Sequence, residues 1–267
     1  MEGTKTALIT GVSGGIGSAA AKALCEAGYA VTGLDLREPR SPLPGVRFLP
    51  VDLTDPGAIE DAAALLAKEG ARIDCVVHMA GIYDLNSLVE MPDEAWRRIF
   101  DVNLTSVYRV NRAFLPLLAP GARIVITSSE LAPLDPLPFT GIYGITKAAI
   151  EKYAFSLRME LQLLGMSVTV LRPGAVDTGL LGVSTDRLEQ FCRETKLYPN
   201  GSRKMRAIVD RVESKKIPPE KIAALLLKIL GKRKPPFARS INRNPLLLLM
   251  NALPDRMQCF LIRRLLS

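Results

Sequence analysis

The chain has 267 residues, 48% hydrophobic and 23% charged, a composition that excludes disorder and fits one large domain or two small ones. Its net charge of +8 is uneven, because residues 203–267 hold 16 Lys/Arg against 4 Asp/Glu while the remainder is slightly acidic. Four scattered cysteines (Cys25, Cys75, Cys192, Cys259) without a CxxC pair argue against a metal site or disulfide framework and for a reducing, cytoplasmic setting.

In chain order, short apolar runs alternate with helical patterns. Thr6–Thr10 reads as a buried strand, followed by a Gly-rich turn and a small-residue helix over about 15–27. Tyr29–Asp35 and Val46–Val51 are further strands; a helix over about 56–69 leads to the strand Ile73–Val77. Long helices are expected over about 93–118 and 143–164, with strands at Arg123–Thr127 and Ser167–Leu171. Continuous apolar strands separated by helices indicate a parallel sheet covered on both faces, and hence a doubly wound, three-layer α/β/α (Rossmann) fold. Residues 175–217 read as a polar substrate loop, helical in pieces, before a helix over about 218–231 and a strand near Phe237–Ile241. The expected organisation is a single domain over 1–243 with an amphipathic, basic C-terminal extension over 244–267. No apolar run reaches the roughly 20 residues of a spanning helix, and the opening MEGTKTALIT does not read as a secretory signal.

The first strand runs into Thr10-Gly11-Val12-Ser13-Gly14-Gly15-Ile16-Gly17. Glycines at a strand-to-helix turn let backbone N–H groups approach a pyrophosphate, with the helix dipole in support. Gly11, Gly15 and Gly17 are assigned to that turn, and Ser13 to the lining of the phosphates. Asp35, at the end of the second strand, suits the adenosine ribose hydroxyls and repels a 2′-phosphate, so NAD(H) is the expected cofactor; Asp52 and Leu53 are candidates for the adenine end. The same run satisfies G-x-S-x-G, but a hydrolase needs a base for Ser13, the sole histidine is His78, and the elbow would follow the first strand.

Tyr143 and Lys147 lie one helical turn apart, on one face. An ordinary tyrosine pKa is about 10, and a neighbouring ammonium together with an oxidised nicotinamide is expected to lower it. Upstream, Ser128-Ser129-Glu130 ends a strand, where a hydroxyl can donate to a carbonyl oxygen gaining charge. Asn103 places an amide within an apolar helix, as a polar tie or a holder of water.

Together these residues resemble the short-chain dehydrogenase/reductase family over roughly residues 5–178, on TGVSGGIG, Asp35, His78-Met79-Ala80-Gly81, Asn103, the double serine, Tyr143/Lys147, and Pro173-Gly174 with Thr178. The resemblance implies that Tyr143 is the acid/base, that Lys147 binds the nicotinamide ribose and tunes the tyrosine, that Ser129 positions the substrate oxygen, and that Asn103 completes a proton relay. It adds Ile16, Ala80, Gly81, Pro173, Gly174, Val176 and Thr178 to the cofactor contacts. His78 departs from the family's usual asparagine and reads as a hydrogen-bonded packing residue. Ser129 stands one residue further from the tyrosine than is usual, Glu130 holds the usual place, and Ser128 remains the alternative.

The resemblance extends to the retinol/hydroxysteroid branch. The expected substrate is a hydrophobic secondary alcohol or ketone, walled by Leu134, Leu137, Phe139, Leu180 and Leu181. A β-ketoacyl carrier-protein reductase and a non-catalytic NAD(H) sensor are the alternatives. A homodimer or homotetramer, no nucleic acid, and at most weak peripheral membrane contact through the basic C-terminus complete the expectations.

Overall fold

The computed structural model describes residues 4–213 and 215–267, with the side chains of 180–186, 212 and 213 outside the described set. Seven strands form one sheet in the order β3-β2-β1-β4-β5-β6-β7. They are β1 (Thr6–Thr10), β2 (Ala30–Asp35), β3 (Val46–Pro50), β4 (Ile73–His78), β5 (Leu118–Thr127), β6 (Ser167–Pro173) and β7 (Ala238–Ile241). Every neighbouring pair is parallel, so each connection must cross over a face of the sheet.

The apolar strands feed two cores in alternation. Leu8, Val76, Ile124 and Ile126 point to one face, while Ile9, Val77 and Val125 point to the other, as a side-chain period of two requires. On the first face lie α2 (Pro56–Lys68), α4 (Ser106–Phe114) and α5 (Gly141–Leu161), through Ile59, Val110, Phe114 and Ile150. On the second lie α1 (Gly15–Glu26) and α8 (Pro219–Leu230), through Ala20, Leu24, Ile222 and Leu226. The expected three-layer doubly wound fold is therefore present. Strand order reverses between β1 and β4, which opens a crevice at their carboxyl ends.

Two expectations require correction, and the helical pieces expected over 175–217 take a definite form. The single helix expected over about 93–118 is α3 (Asp93–Phe100), a π-helical turn (Asp101–Thr105), α4 and a short 3-10 turn. The fifth strand starts at Leu118 rather than Arg123; Leu118 pairs with Ile73, and the register then shifts before Arg123 pairs with Cys75. Residues 175–217 are mainly two helices, α6 (Gly179–Glu194) and α7 (Pro199–Glu213). With α9 (Pro245–Asn251) and α10 (Asp255–Leu266), these helices form a cap over the carboxyl end of the sheet. Its own core joins Leu85, Phe139, Leu188, Phe191, Met205 and Val209, with Leu266 packed against it.

Candidate active site

Backbone geometry at the end of β1 admits only glycine. Gly11 has φ +71, and a Cβ there would lie 2.4 Å from the Ala80 nitrogen. At Gly17 a Cβ would stand 2.0 Å from the Gly11 carbonyl oxygen. Since backbone cannot move aside as a side chain can, the turn and α1 pack too closely for any other residue. No side chain caps Gly14, and no acidic residue sits in the first turn of α1, so its first amides are left for an anion. Gly15 faces Thr178, whose Cγ2 would lie 2.7 Å from a Cβ at Gly15. This cradle fits a dinucleotide pyrophosphate.

Asp35 Oδ2 accepts the Ser13 backbone N–H at 3.0 Å, while the Ser13 hydroxyl donates to the Arg37 carbonyl at 2.5 Å. Ser13 is thereby tied to the loop after β2, and its hydroxyl is already engaged there. Asp52 Oδ1 accepts from the Thr54 backbone N–H at 2.8 Å and from the Thr54 hydroxyl at 2.7 Å, and these bonds hold its carboxyl below the usual range. That oxygen serves its own turn. Leu53 is buried and belongs to the first core.

At the chemical end, α5 presents Tyr143 and Lys147 to the tip of β5. Ser129 lines the cleft beside Tyr143 and is close enough to lower the pKa of its hydroxyl. By contrast, the Ser128 hydroxyl donates to Glu151 Oε1 at 2.8 Å, a carboxylate also bound by Arg172. Of the two serines, the structure brings Ser129 to the tyrosine. Register explains how. The Ser128 N–H donates to the Leu171 carbonyl and the Glu130 N–H to the Pro173 carbonyl, which continues the β5–β6 pairing. The extra residue before Tyr143 is absorbed in the turns after Ser129.

Lys147 is 4% exposed. Its Nζ donates to the Thr127 carbonyl at 3.1 Å and stands 5.6 Å from the centroid of the Tyr143 ring. Burial pushes its pKa down to about 8. Tyr143 moves against expectation: burial pushes its phenol up to about 12, the neighbouring Ser129 hydroxyl opposes this, and the charge of Glu130 reinforces it. The phenol is not made acidic by the protein alone. Asn103, on the π-helical turn, donates through Nδ2 to the Ile82 carbonyl at 2.9 Å and to Thr146 Oγ1 at 3.1 Å. Its Oδ1 accepts the Ile82 N–H at 2.8 Å. It braces the loop after β4 against α5. Such turns recur at functional sites. His78 is buried, with its Nε2–H donated to Asn111 Oδ1 at 2.9 Å, and burial holds its pKa down to about 4. It is the hydrogen-bonded packing residue that was expected.

These groups open onto a cleft enclosing about 1150 Å³, part of it open to solvent. Ile16, Gly81, Pro173, Gly174, Val176 and Thr178 line it beside Ser129, Tyr143 and Lys147, whereas Ala80 packs behind Gly11. Of the expected substrate wall, Leu137 lines the cleft. Phe139 instead packs on Phe191 and Tyr198 within the cap core, Leu134 is not among the lining residues, and the side chains of Leu180 and Leu181 lie outside the described residues. Sequence reasoning missed Ile82, Tyr83, Met205, Ile208, Val209 and Leu247 in the lining. Tyr83 stacks edge-on against Tyr143, with ring centroids 4.5 Å apart. The apolar spacing of Met205, Ile208 and Val209 at i, i+3 and i+4 was the available signal.

Such a glycine cradle, set beside a Ser-Tyr-Lys cluster at the switch point of a parallel sheet, defines a nucleotide-dependent oxidoreductase. The chain belongs to the short-chain dehydrogenase family, whose sequence model matches residues 5–189, and membership implies a nicotinamide dinucleotide. Among its relatives is a 3-ketodihydrosphingosine reductase of Bacteroides thetaiotaomicron, 28% identical with 96% of both chains covered. A 3-oxoacyl acyl-carrier-protein reductase of Escherichia coli is 30% identical over 68% of this chain and 78% of its own. A short-chain dehydrogenase structure from Streptomyces avermitilis superposes with a TM-score of 0.77 over 98% of this chain and 96% of that one, at 24% identity, and so supports the fold. No helix among the described residues is long and apolar enough to cross a membrane.

Proposed function

We propose that the protein is an NAD(H)-dependent oxidoreductase that interconverts a hydrophobic secondary alcohol and its ketone, with Tyr143 as the general acid/base. The observation that carries this reading is that Ser129, Tyr143 and Lys147 together line an apolar cleft, with Lys147 one turn along α5 from Tyr143. When bound, the dinucleotide takes up or supplies the hydride, and its oxidised ring adds a positive charge. In reduction, Ser129 donates to the carbonyl oxygen and Tyr143 gives it a proton. In oxidation, Tyr143 receives that proton. Lys147 holds a cation beside the phenol, and Asn103 keeps the loop after β4 in register with α5. Asp35 favours NAD(H) by repelling a 2′-phosphate, and the cofactor contacts are Gly11, Gly15, Ile16, Gly17, Gly81, Tyr143, Lys147, Pro173, Gly174, Val176 and Thr178.

A relative matched over 96% of this chain is named a reductase of 3-ketodihydrosphingosine, which agrees with a ketone in an apolar cleft. The hydroxysteroid or retinoid reading rests on the sequence resemblance alone. The carrier-protein reductase likeness covers 68% of this chain, less than the sphingoid-ketone reductase likeness does; a carrier-borne substrate is therefore the second reading. The proposal includes assembly through α4 and α5, whose Tyr108, Phe155 and Met159 are exposed. It also includes weak contact between an anionic membrane surface and the outward face of α10, where exposed Phe260 (61%) has Arg256, Arg263 and Arg264 at helical neighbour positions. The experiment is Tyr143→Phe: cofactor affinity persists while turnover of a secondary-alcohol panel falls by about 100-fold or more. Equal turnover by the variant refutes the assignment.

A further inference from the structure

Glu130 is the one carboxylate that lines the cleft among the described residues, and it is 6% exposed. It directly follows Ser129, and its charge acts on the Tyr143 hydroxyl. One oxygen is committed: Oε2 accepts the Asn244 backbone N–H at 2.6 Å, which ties the tip of β5 to the start of α9. Oε1 makes no hydrogen bond among the described residues. It lies beside Gly174, where a Cβ would be 2.9 Å away, so the absent side chain keeps room at this oxygen. Nothing in the proton transfer at Tyr143 uses Glu130. Its effect on that step is adverse, because a nearby anion disfavours both a phenolate and the negative charge that grows on a reacting carbonyl oxygen. Lys147 does not offset it directly, since its Nζ is held by the Thr127 carbonyl.

Arg243, next to Asn244, is the cation that acts on Glu130, but no ion pair joins them among the described residues, and a carboxylate with a free oxygen at a reaction centre makes chemical sense when the substrate brings a matching cation. We propose that Glu130 is a specificity-determining residue that binds an ammonium group of the substrate, on the carbon next to the reacting carbonyl or alcohol carbon. The substrate class is then a hydrophobic amino ketone or amino alcohol, its tail lying along Leu131, Leu137, Ile208, Val209 and Leu247. This rests on the oxidoreductase reading given above and narrows its substrate.

The probes are 2-aminododecan-3-ol, its N-acetyl derivative and dodecan-3-ol, each oxidised with NAD. The wild-type protein is expected to favour the free amine over both neutral alcohols by about tenfold or more in kcat/KM. In Glu130→Gln the amide oxygen still accepts from Asn244, but the preference collapses toward parity. A purely structural Glu130 predicts something different, namely that Glu130→Gln slows all three alcohols by the same factor, and that outcome overturns the inference. A second measurement needs no variant: n-decylamine inhibits dodecan-3-ol oxidation at lower concentration than n-decanol does. Equal inhibition, or wild-type indifference to the amine, also overturns it while leaving the oxidoreductase reading intact. Turnover of none of the alcohols overturns both.

Discussion

Replacing Lys147 with methionine removes a buried cation while preserving much of the chain length, and the effect on stability has a calculable pH dependence. Burial moves the lysine from 10.5 down to about 8. Below pH 8 it is protonated in both folded and unfolded chains, and the folded chain bears the full cost of desolvating the charge. Above pH 10.5 it is neutral in both, and that cost is gone. Between the two values the unfolded chain binds more protons, so stability rises with pH. At about 1.4 kcal/mol per pH unit the total is roughly 3 kcal/mol. Methionine carries no such contribution, and the packing and the Thr127 hydrogen bond lost in the variant do not titrate. Urea unfolding of both proteins from about pH 7 to about pH 11 isolates the effect. The wild type should gain roughly 3 kcal/mol on Lys147→Met over that range. A difference that stays flat across pH refutes the buried-ammonium reasoning, whatever the variant does to activity.

Acid should act through His78 with a related sign: its folded pKa of about 4 lies below 6.5, so stability falls as pH drops below 6.5. His78→Asn should flatten that decline in denaturation midpoints measured between about pH 4 and pH 7. Gly17→Ala forces a Cβ to 2.0 Å from the Gly11 carbonyl oxygen; we expect a loss of about 1–3 kcal/mol in stability and weaker NADH binding by fluorescence titration. Asp35→Asn keeps an oxygen for the Ser13 N–H and removes only the charge, so the NAD over NADP preference in kcat/KM should fall by about tenfold; an unchanged preference would show that Asp35 does not select the cofactor.

The sheet was legible in the sequence because every central strand is buried on both faces and therefore continuously apolar. Thr6–Thr10 and Ile73–His78 stand out for that reason. What failed to show depended on partners distant in sequence. The break between α3 and α4 follows no Pro or Gly; it forms where Asn103 pairs with Ile82 across 21 residues. The early start of β5 was hidden by Leu118-Ala119-Pro120-Gly121, which reads as a turn, and Gly121 indeed has φ +77. The cap helices α6 and α7 look irregular because exposed charges such as Arg187, Arg193, Arg203 and Lys204 break up their apolar period.

At the site, residue identity was easier to read than electrostatics. The glycine turn, Tyr143 and Lys147 follow from local spacing alone. Choosing Ser129 over Ser128 required Glu151, one turn beyond Lys147, which claims the Ser128 hydroxyl; that carboxylate was visible in the sequence but unused. The phenol's acidity could not be read this way, because spacing shows which charges are near and says nothing of how much water has been removed. Burial shifts Tyr143 upward and Lys147 downward, and both shifts oppose a phenolate–ammonium pair. Lys147 keeps its charge below about pH 8, whereas Tyr143 ionises only when further positive charge arrives. Catalytic readiness in this fold thus belongs to the complex with dinucleotide and substrate, and a carboxylate such as Glu130 can be tolerated beside the reacting oxygen for the same reason.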